Sequence, residues 1–122
     1  MRVLIADRNA HYRETLRRVL CHHPQCSVVG EAATLTEAVR LARRTDPDVA
    51  LLDFDLVINQ SAARLRRLAD AFPRLDVIVL LSEYSEDYRE AVRKRWGYTC
   101  IAKEQAGEHL DRLMSESWSA VS

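Results

Sequence analysis

The 122-residue sequence predicts a doubly wound α/β domain, a five-stranded parallel sheet with helices on both faces in three α/β/α layers. Short apolar runs of strand length alternate with amphipathic helical stretches along the whole chain, as βα units do. Cap and turn residues fall between the two kinds of segment, and strict alternation under the right-handed crossover rule leaves few other topologies. The length suits one domain with its own core.

The strands are predicted at Val3 to Ala6, around Val28 and Val29, at Val49 to Leu52, at Val77 to Leu81 and at Cys100 to Ala102. The first helix carries Tyr12, Leu16, Val19 and Leu20 at helical spacing and is stopped by Pro24. Thr34 and Glu37 form a capping box for the second, whose apolar positions are Leu35, Ala38, Val39 and Ala42, and Asp46-Pro47 separates it from the third strand. Leu65, Leu68, Ala69 and Phe72 mark the third helix. Ser85 caps the fourth, with Tyr88, Ala91 and Val92, and Leu110, Leu113 and Met114 mark the fifth. Periodicity fades from Ser115, so the domain is expected over residues 1–117, with residues 118–122 as a tail or the start of a linker.

With 18 basic and 18 acidic residues the net charge is zero, which gives no overall field for nucleic acid or anionic lipid and argues against direct DNA binding by this chain. No apolar run approaches the ~20 residues of a membrane span, and the N-terminus reaches Asp7 too soon for a secretory segment, so a cytoplasmic location is expected. Three unpatterned cysteines fit a reducing compartment. Cys21-His-His-Pro-Gln-Cys26 packs metal-ligand types closely, but a structural zinc usually needs a second ligand pair, and only the isolated Cys100 and His109 are at hand; a helix end and turn is the plainer reading. The arginine clusters at 13, 17 and 18, at 40, 43 and 44, and at 64, 66 and 67 read as solvated faces of three helices.

Because all strands of such a sheet run the same way, residues just past them gather at one edge, where open α/β folds bind ligands. Asp7, Asp53, Leu81-Ser82 and Lys103 occupy those positions. A carboxylate ending an apolar strand such as Val49-Ala-Leu-Leu-Asp53 is costly without compensation, so Asp53 calls for a partner.

In order and spacing, Val3-Leu-Ile-Ala-Asp7, Val28-Val-Gly-Glu-Ala32, Asp46-Pro-Asp-Val-Ala-Leu-Leu-Asp53 and Ile101-Ala-Lys103 resemble the response-regulator receiver family, across essentially the whole chain. The first two segments are most similar to receivers joined to a C-terminal helix-turn-helix output domain, of the LuxR/NarL type. The resemblance implies a (βα)5 flavodoxin-like fold and a non-enzymatic role in two-component phosphorelay signalling. Asp53 would be the phosphoacceptor and Lys103 the phosphoryl contact, while Asp7, Asp53 and the backbone carbonyl of Asp55 would hold Mg²⁺. The partner would be a sensor histidine kinase or a small phosphodonor.

The pattern departs from the family at four places. The second acid of the metal site is Arg8, which should weaken Mg²⁺ binding. Three readings of Arg8 stand side by side: it pairs with Asp53 or Asp7, it grips an incoming phosphoryl group, or it points into solvent. Leu81 takes the Thr or Ser position, and strand alternation would face the neighbouring Ser82 the other way. Cys100 replaces the switch aromatic, and Asp55 to Gln60 lacks the usual Pro and Gly.

An atypical receiver is therefore expected. The alternative is a pseudo-receiver without metal or phosphorylation, acting through a protein-docking or homodimer face on the fourth helix and fifth strand that exposes Tyr84, Tyr88, Trp96 and Tyr98. The competing view is that Tyr88 and Trp96 merely cover the sheet. A remoter alternative starts from Asp53-Phe-Asp55-Leu-Val57, which resembles the first motif of haloacid-dehalogenase-type phosphohydrolases, with Lys103 as their lysine but without their acid pair. An output domain is not in this sequence; whether the chain is part of a longer protein or a single-domain regulator is left open.

Overall fold

A computed structural model describes residues 1–83 and 85–121, with side chains described as far as residue 115. The sheet is wholly parallel in the order β2-β1-β3-β4-β5, with β1 at Arg2–Ala6, β2 at Ser27–Ala32, β3 at Val49–Asp53, β4 at Asp76–Leu81 and β5 at Thr99–Ala102. This is the doubly wound α/β order, in which the chain reverses its winding between β1 and β3. The predicted strands are all present, each within a few residues of its expected ends.

Six α-helices are described where the sequence reading expects five: α1 Ala10–Cys21, α2 Leu35–Thr45, α3 Phe54–Val57, α4 Ala62–Ala71, α5 Glu86–Trp96 and α6 Ala106–Val121. The addition is α3, a single turn begun by Asp53, whose side chain accepts a hydrogen bond from the Asp55 amide. Four residues are too few to show a helical period, so no apolar spacing announces it. The last helix is assigned through Val121, past the point where periodicity fades. Local chemistry sets the other ends. Asn9, Thr34, Ser61 and Ser85 cap α1, α2, α4 and α5 by accepting from the third amide onward. Gly97 closes α5 at φ 72°, a left-handed conformation that costs glycine little.

Strand alternation divides the core in two. Leu4, Ala6, Ala50, Leu52, Val79 and Leu81 face one way and pack with Leu35, Ala38 and Ala42 of α2, Leu65 of α4 and Val92 of α5. Val3, Ile5, Leu51, Ile78 and Leu80 face the other and pack with Leu16 and Leu20 of α1 and Ala106, Leu110 and Met114 of α6. Burial of this apolar surface on both faces is the main force holding the layers together.

Candidate functional site

Registration of the strands decides what meets at the sheet edge. Ala6 pairs with Leu52, Asp53 with Leu80, and Leu81 with Ala102, so Asp53 at the end of β3 and Asp7 and Lys103 just past β1 and β5 come to the same edge of the sheet. Asp7 and Asp53 continue the parity of Ile5 and Leu51, the side occupied by α1 and α6. They are the buried charged residues of the described core, 1% and 5% exposed. Two buried carboxylates repel each other, and Lys103 answers both: its Nζ lies 2.6 Å from Asp7 Oδ2 and 3.5 Å from Asp53 Oδ1. Beyond this ion pair with Lys103, Asp7 Oδ2 has no hydrogen-bond partner among the described residues.

The electrostatics follow from this packing. Burial above all, then the charge of Asp7, pushes the Asp53 carboxyl above its ordinary value, against the pull of Lys103. Asp7 is held from the other side by the Asn9 amide, which donates to Oδ1 at 2.8 Å, and its carbonyl accepts from the Arg13 guanidinium. Arg13 is also 3.7 Å from Glu31 and only 18% exposed, so it is a supporting residue of the site and not part of a solvated face.

Tyr12 is a further member that its spacing on α1 marks only as a core position. Its hydroxyl donates to the Lys103 carbonyl at 3.0 Å, and Lys103 Nζ lies 4.7 Å from the centre of its ring. One aromatic thus fixes both the backbone and the ammonium of the lysine. Burial and the nearby acids, Asp7 first, push the Tyr12 phenol well above its usual range, which keeps it a proton donor.

Asp53 opens onto a crevice of about 290 Å³ walled by Phe54, Asp55, Leu81, Ser82, Glu83 and Tyr88. Leu81 is buried and belongs to the opposite core face, whereas Ser82 lies just past the end of β4 and is exposed. Alternation is a property of the strand and no longer dictates the direction of Ser82, so both residues reach this wall. The rings of Phe54 and Tyr88 meet at 5.6 Å beside the opening. Arg8 is exposed, and among the described residues it has no ion pair with Asp7 or Asp53. Cys100 is buried and its thiol pushed up to about 11 by desolvation, which makes it a packing residue with little thiolate.

Asp7 and Asp53 supply two carboxylates, one with an oxygen answered only by the Lys103 ammonium among the described residues, and the Asp55 carbonyl would be the third protein ligand for Mg²⁺. Such a donor set fits an ion that takes one or two carboxylates and completes its shell with water and phosphate. It is sparse: no group of three or more His, Cys, Asp or Glu side chains suited to a metal occurs among the described residues. That holds for Cys21, Cys26 and their neighbouring histidines as well.

The expected aromatic face is less open than its sequence suggests. Tyr88 is 51% exposed, but Trp96 and Tyr98 are partly buried against the α2/α5 side of the core, and Tyr84 lies outside the described residues. No helix among the described residues is long and apolar enough to cross a membrane.

Residues 3–115 match the family described as the response regulator receiver domain. The chain belongs to that family. It is 32% identical over 88 residues to the uncharacterized transcriptional regulatory protein YhcZ of Bacillus subtilis, covering 72% of this chain and 41% of that protein. It is 27% identical over 110 residues to the transcriptional regulatory protein DegU of Brevibacillus brevis, covering 90% of this chain and 47% of that one. The receiver therefore spans less than half the length of these curated relatives. Among solved structures, the receiver domain of the response regulator NarL from Mycobacterium tuberculosis superposes with a TM-score of 0.75 at 20% identity, over 95% of this chain and 94% of that one. Membership settles the class: this is a receiver domain of a two-component response regulator with a flavodoxin-like fold.

Proposed function

We propose that the chain is an atypical receiver whose phosphoacceptor is Asp53. The observation that carries this reading is the lysine bridge, Lys103 set between the two buried carboxylates Asp7 and Asp53. An Asp53 oxygen attacks the phosphorus of an acyl phosphate or a phosphohistidine; the bond from phosphorus to the donor breaks, and the donor leaves with the electron pair. The product is an aspartyl phosphate. Lys103 then has a natural second role, moving its charge from the carboxylates to the phosphoryl oxygens, with Tyr12 keeping it at the site. Mg²⁺, when held by Asp7, Asp53 and the Asp55 carbonyl, neutralises charge on the transferred group. Ser82, in the crevice wall, is the hydroxyl best placed to replace the one lost at Leu81.

The sparse metal site and the exposed Arg8 make the domain atypical: weaker Mg²⁺ binding and slower phosphorylation than in a receiver with two adjacent acids. A kinase or a small phosphodonor is the partner from which Asp53 takes its phosphoryl group, and the remaining length of YhcZ and DegU supports an output domain joined to receivers of this type. The same lysine bridge also favours a second reading, a pseudo-receiver locked by Lys103 in place of the metal and acting by docking. The phosphohydrolase alternative is the weaker one: Asp55 shares the crevice with Asp53, but the acid pair that should accompany the lysine of that family does not follow Lys103 in the sequence.

Labelling with acetyl phosphate and Mg²⁺, followed by hydroxylamine, tests the reading. A label released by hydroxylamine and mapped to the Asp53 peptide supports an acyl phosphate there; a stable label, or none, supports the pseudo-receiver. Arg8→Asp should tighten Mg²⁺ in a calorimetric titration, and an unchanged affinity would remove Arg8 from the account.

A further inference from the structure

Two of the three arginine clusters that read from sequence as separate solvated faces meet, apart from Arg66, in one groove. α2 and α4 pack on the same side of the sheet, through Leu35, Ala38 and Ala42 and through Leu65. Their polar faces therefore look at each other, and Arg40, Arg43 and Arg44 of α2 with Arg64 and Arg67 of α4 line a concavity of about 730 Å³. Among the described residues none of the five has a carboxylate partner; Arg64 is tied to neutral groups, Gln60 at 2.8 Å and Thr36 at 3.5 Å. Five cations in one groove of a chain with zero net charge is a strong local asymmetry. It is held at the expense of mutual repulsion, which a bound anion would relieve.

The groove is not purely polar. Val39 and Leu68 contribute to its wall and also line the small apolar cavity beneath, toward Phe72 and Tyr98. Its size is that of a small-molecule site, and guanidinium forks match phosphate oxygens in pairs. We propose that this groove binds an organic polyphosphate of the nucleotide class, its phosphates held by the arginines and its flat apolar part resting on Val39 and Leu68. A nucleic acid strand fits less well, because the chain has no overall positive field and the basic surface is one short concavity. The groove shares no lining residue with the Asp53 crevice, so the inference stands apart from the phosphoacceptor reading.

The test is calorimetric titration with ATP, with inorganic triphosphate and with a single-stranded oligonucleotide, on wild type, on Arg43→Glu/Arg67→Glu and on the milder Arg40→Gln/Arg67→Gln, with circular dichroism confirming the fold of each. Saturable ATP binding is expected, weaker binding of inorganic triphosphate, and a loss of roughly tenfold or more for each arginine removed. ATP should also raise the unfolding temperature of wild type and leave that of the Glu variant unmoved. Absence of saturable ATP binding, equal affinity for ATP and inorganic triphosphate, or unchanged binding in both folded variants would each overturn the proposal. Tighter binding of the oligonucleotide with a steep salt dependence would overturn it in favour of a nucleic-acid surface.

Discussion

Asp53 is a carboxylate that the fold holds in an unfavourable place. Its carboxyl is raised above the ordinary 3.8, mainly by burial, so the folded chain keeps a proton where the unfolded chain has lost it. Stability therefore falls as pH rises from 3.8 through the raised value and stays at the lower level at neutral pH. Asp53→Asn removes this cost and should raise the melting temperature at neutral pH by about 3 °C or more. The gain should vanish once the pH drops below the unfolded value; a gain independent of pH would contradict the argument. Lys103→Met has the opposite sign. It leaves two buried carboxylates without their cation and should lower stability by about 3 kcal/mol in urea unfolding at neutral pH. Tyr12→Phe loses the hydroxyl contact to the Lys103 carbonyl but keeps the ring, at about 1 kcal/mol in the same measurement. The meeting of Asp7, Asp53 and Lys103 at one sheet edge was legible because each stands at the end of a short apolar run. Tyr12 and Arg13 were not, since an aromatic at core spacing and an arginine in a basic cluster carry no mark of the site they reach in space.

At the scale of elements, strands and long helices declare themselves by period and cap, and what escapes is whatever is too short or sits just past an end. α3 is one turn, and Ser82 lies where strand alternation stops applying. The same limit explains Trp96 and Tyr98: their types suggest a docking surface, but their places at the end of α5 and before β5 turn them onto the sheet. Gly97 shows how an end can be tested. Its φ of 72° is left-handed, and an added Cβ would meet no atom within 4 Å, so Gly97→Ala isolates the backbone term. The expected loss is about 1 kcal/mol with the site unaffected, read from thermal unfolding beside acetyl phosphate labelling. A loss of labelling at unchanged stability would mean that the α5–β5 turn communicates with Asp53.

For the whole molecule, order and register do what no single segment can. Parallel strands bring Asp7, Asp53 and Lys103 to one edge, and packing two helices on one face turns separate arginine stripes into a groove. The first arrangement follows from a topology that alternation predicts, whereas the second depends on how α2 and α4 are rotated about their axes, which is decided by side-chain packing. The central claim is that the lysine-bridged acid pair is a working phosphoacceptor site. Intact mass after incubation with acetyl phosphate and Mg²⁺, wild type beside Asp53→Asn, tests it most directly. The account predicts one phosphoryl adduct on wild type and none on the variant; an unmodified, folded wild-type protein under conditions that label an ordinary receiver, or an adduct that persists in the variant, would contradict it.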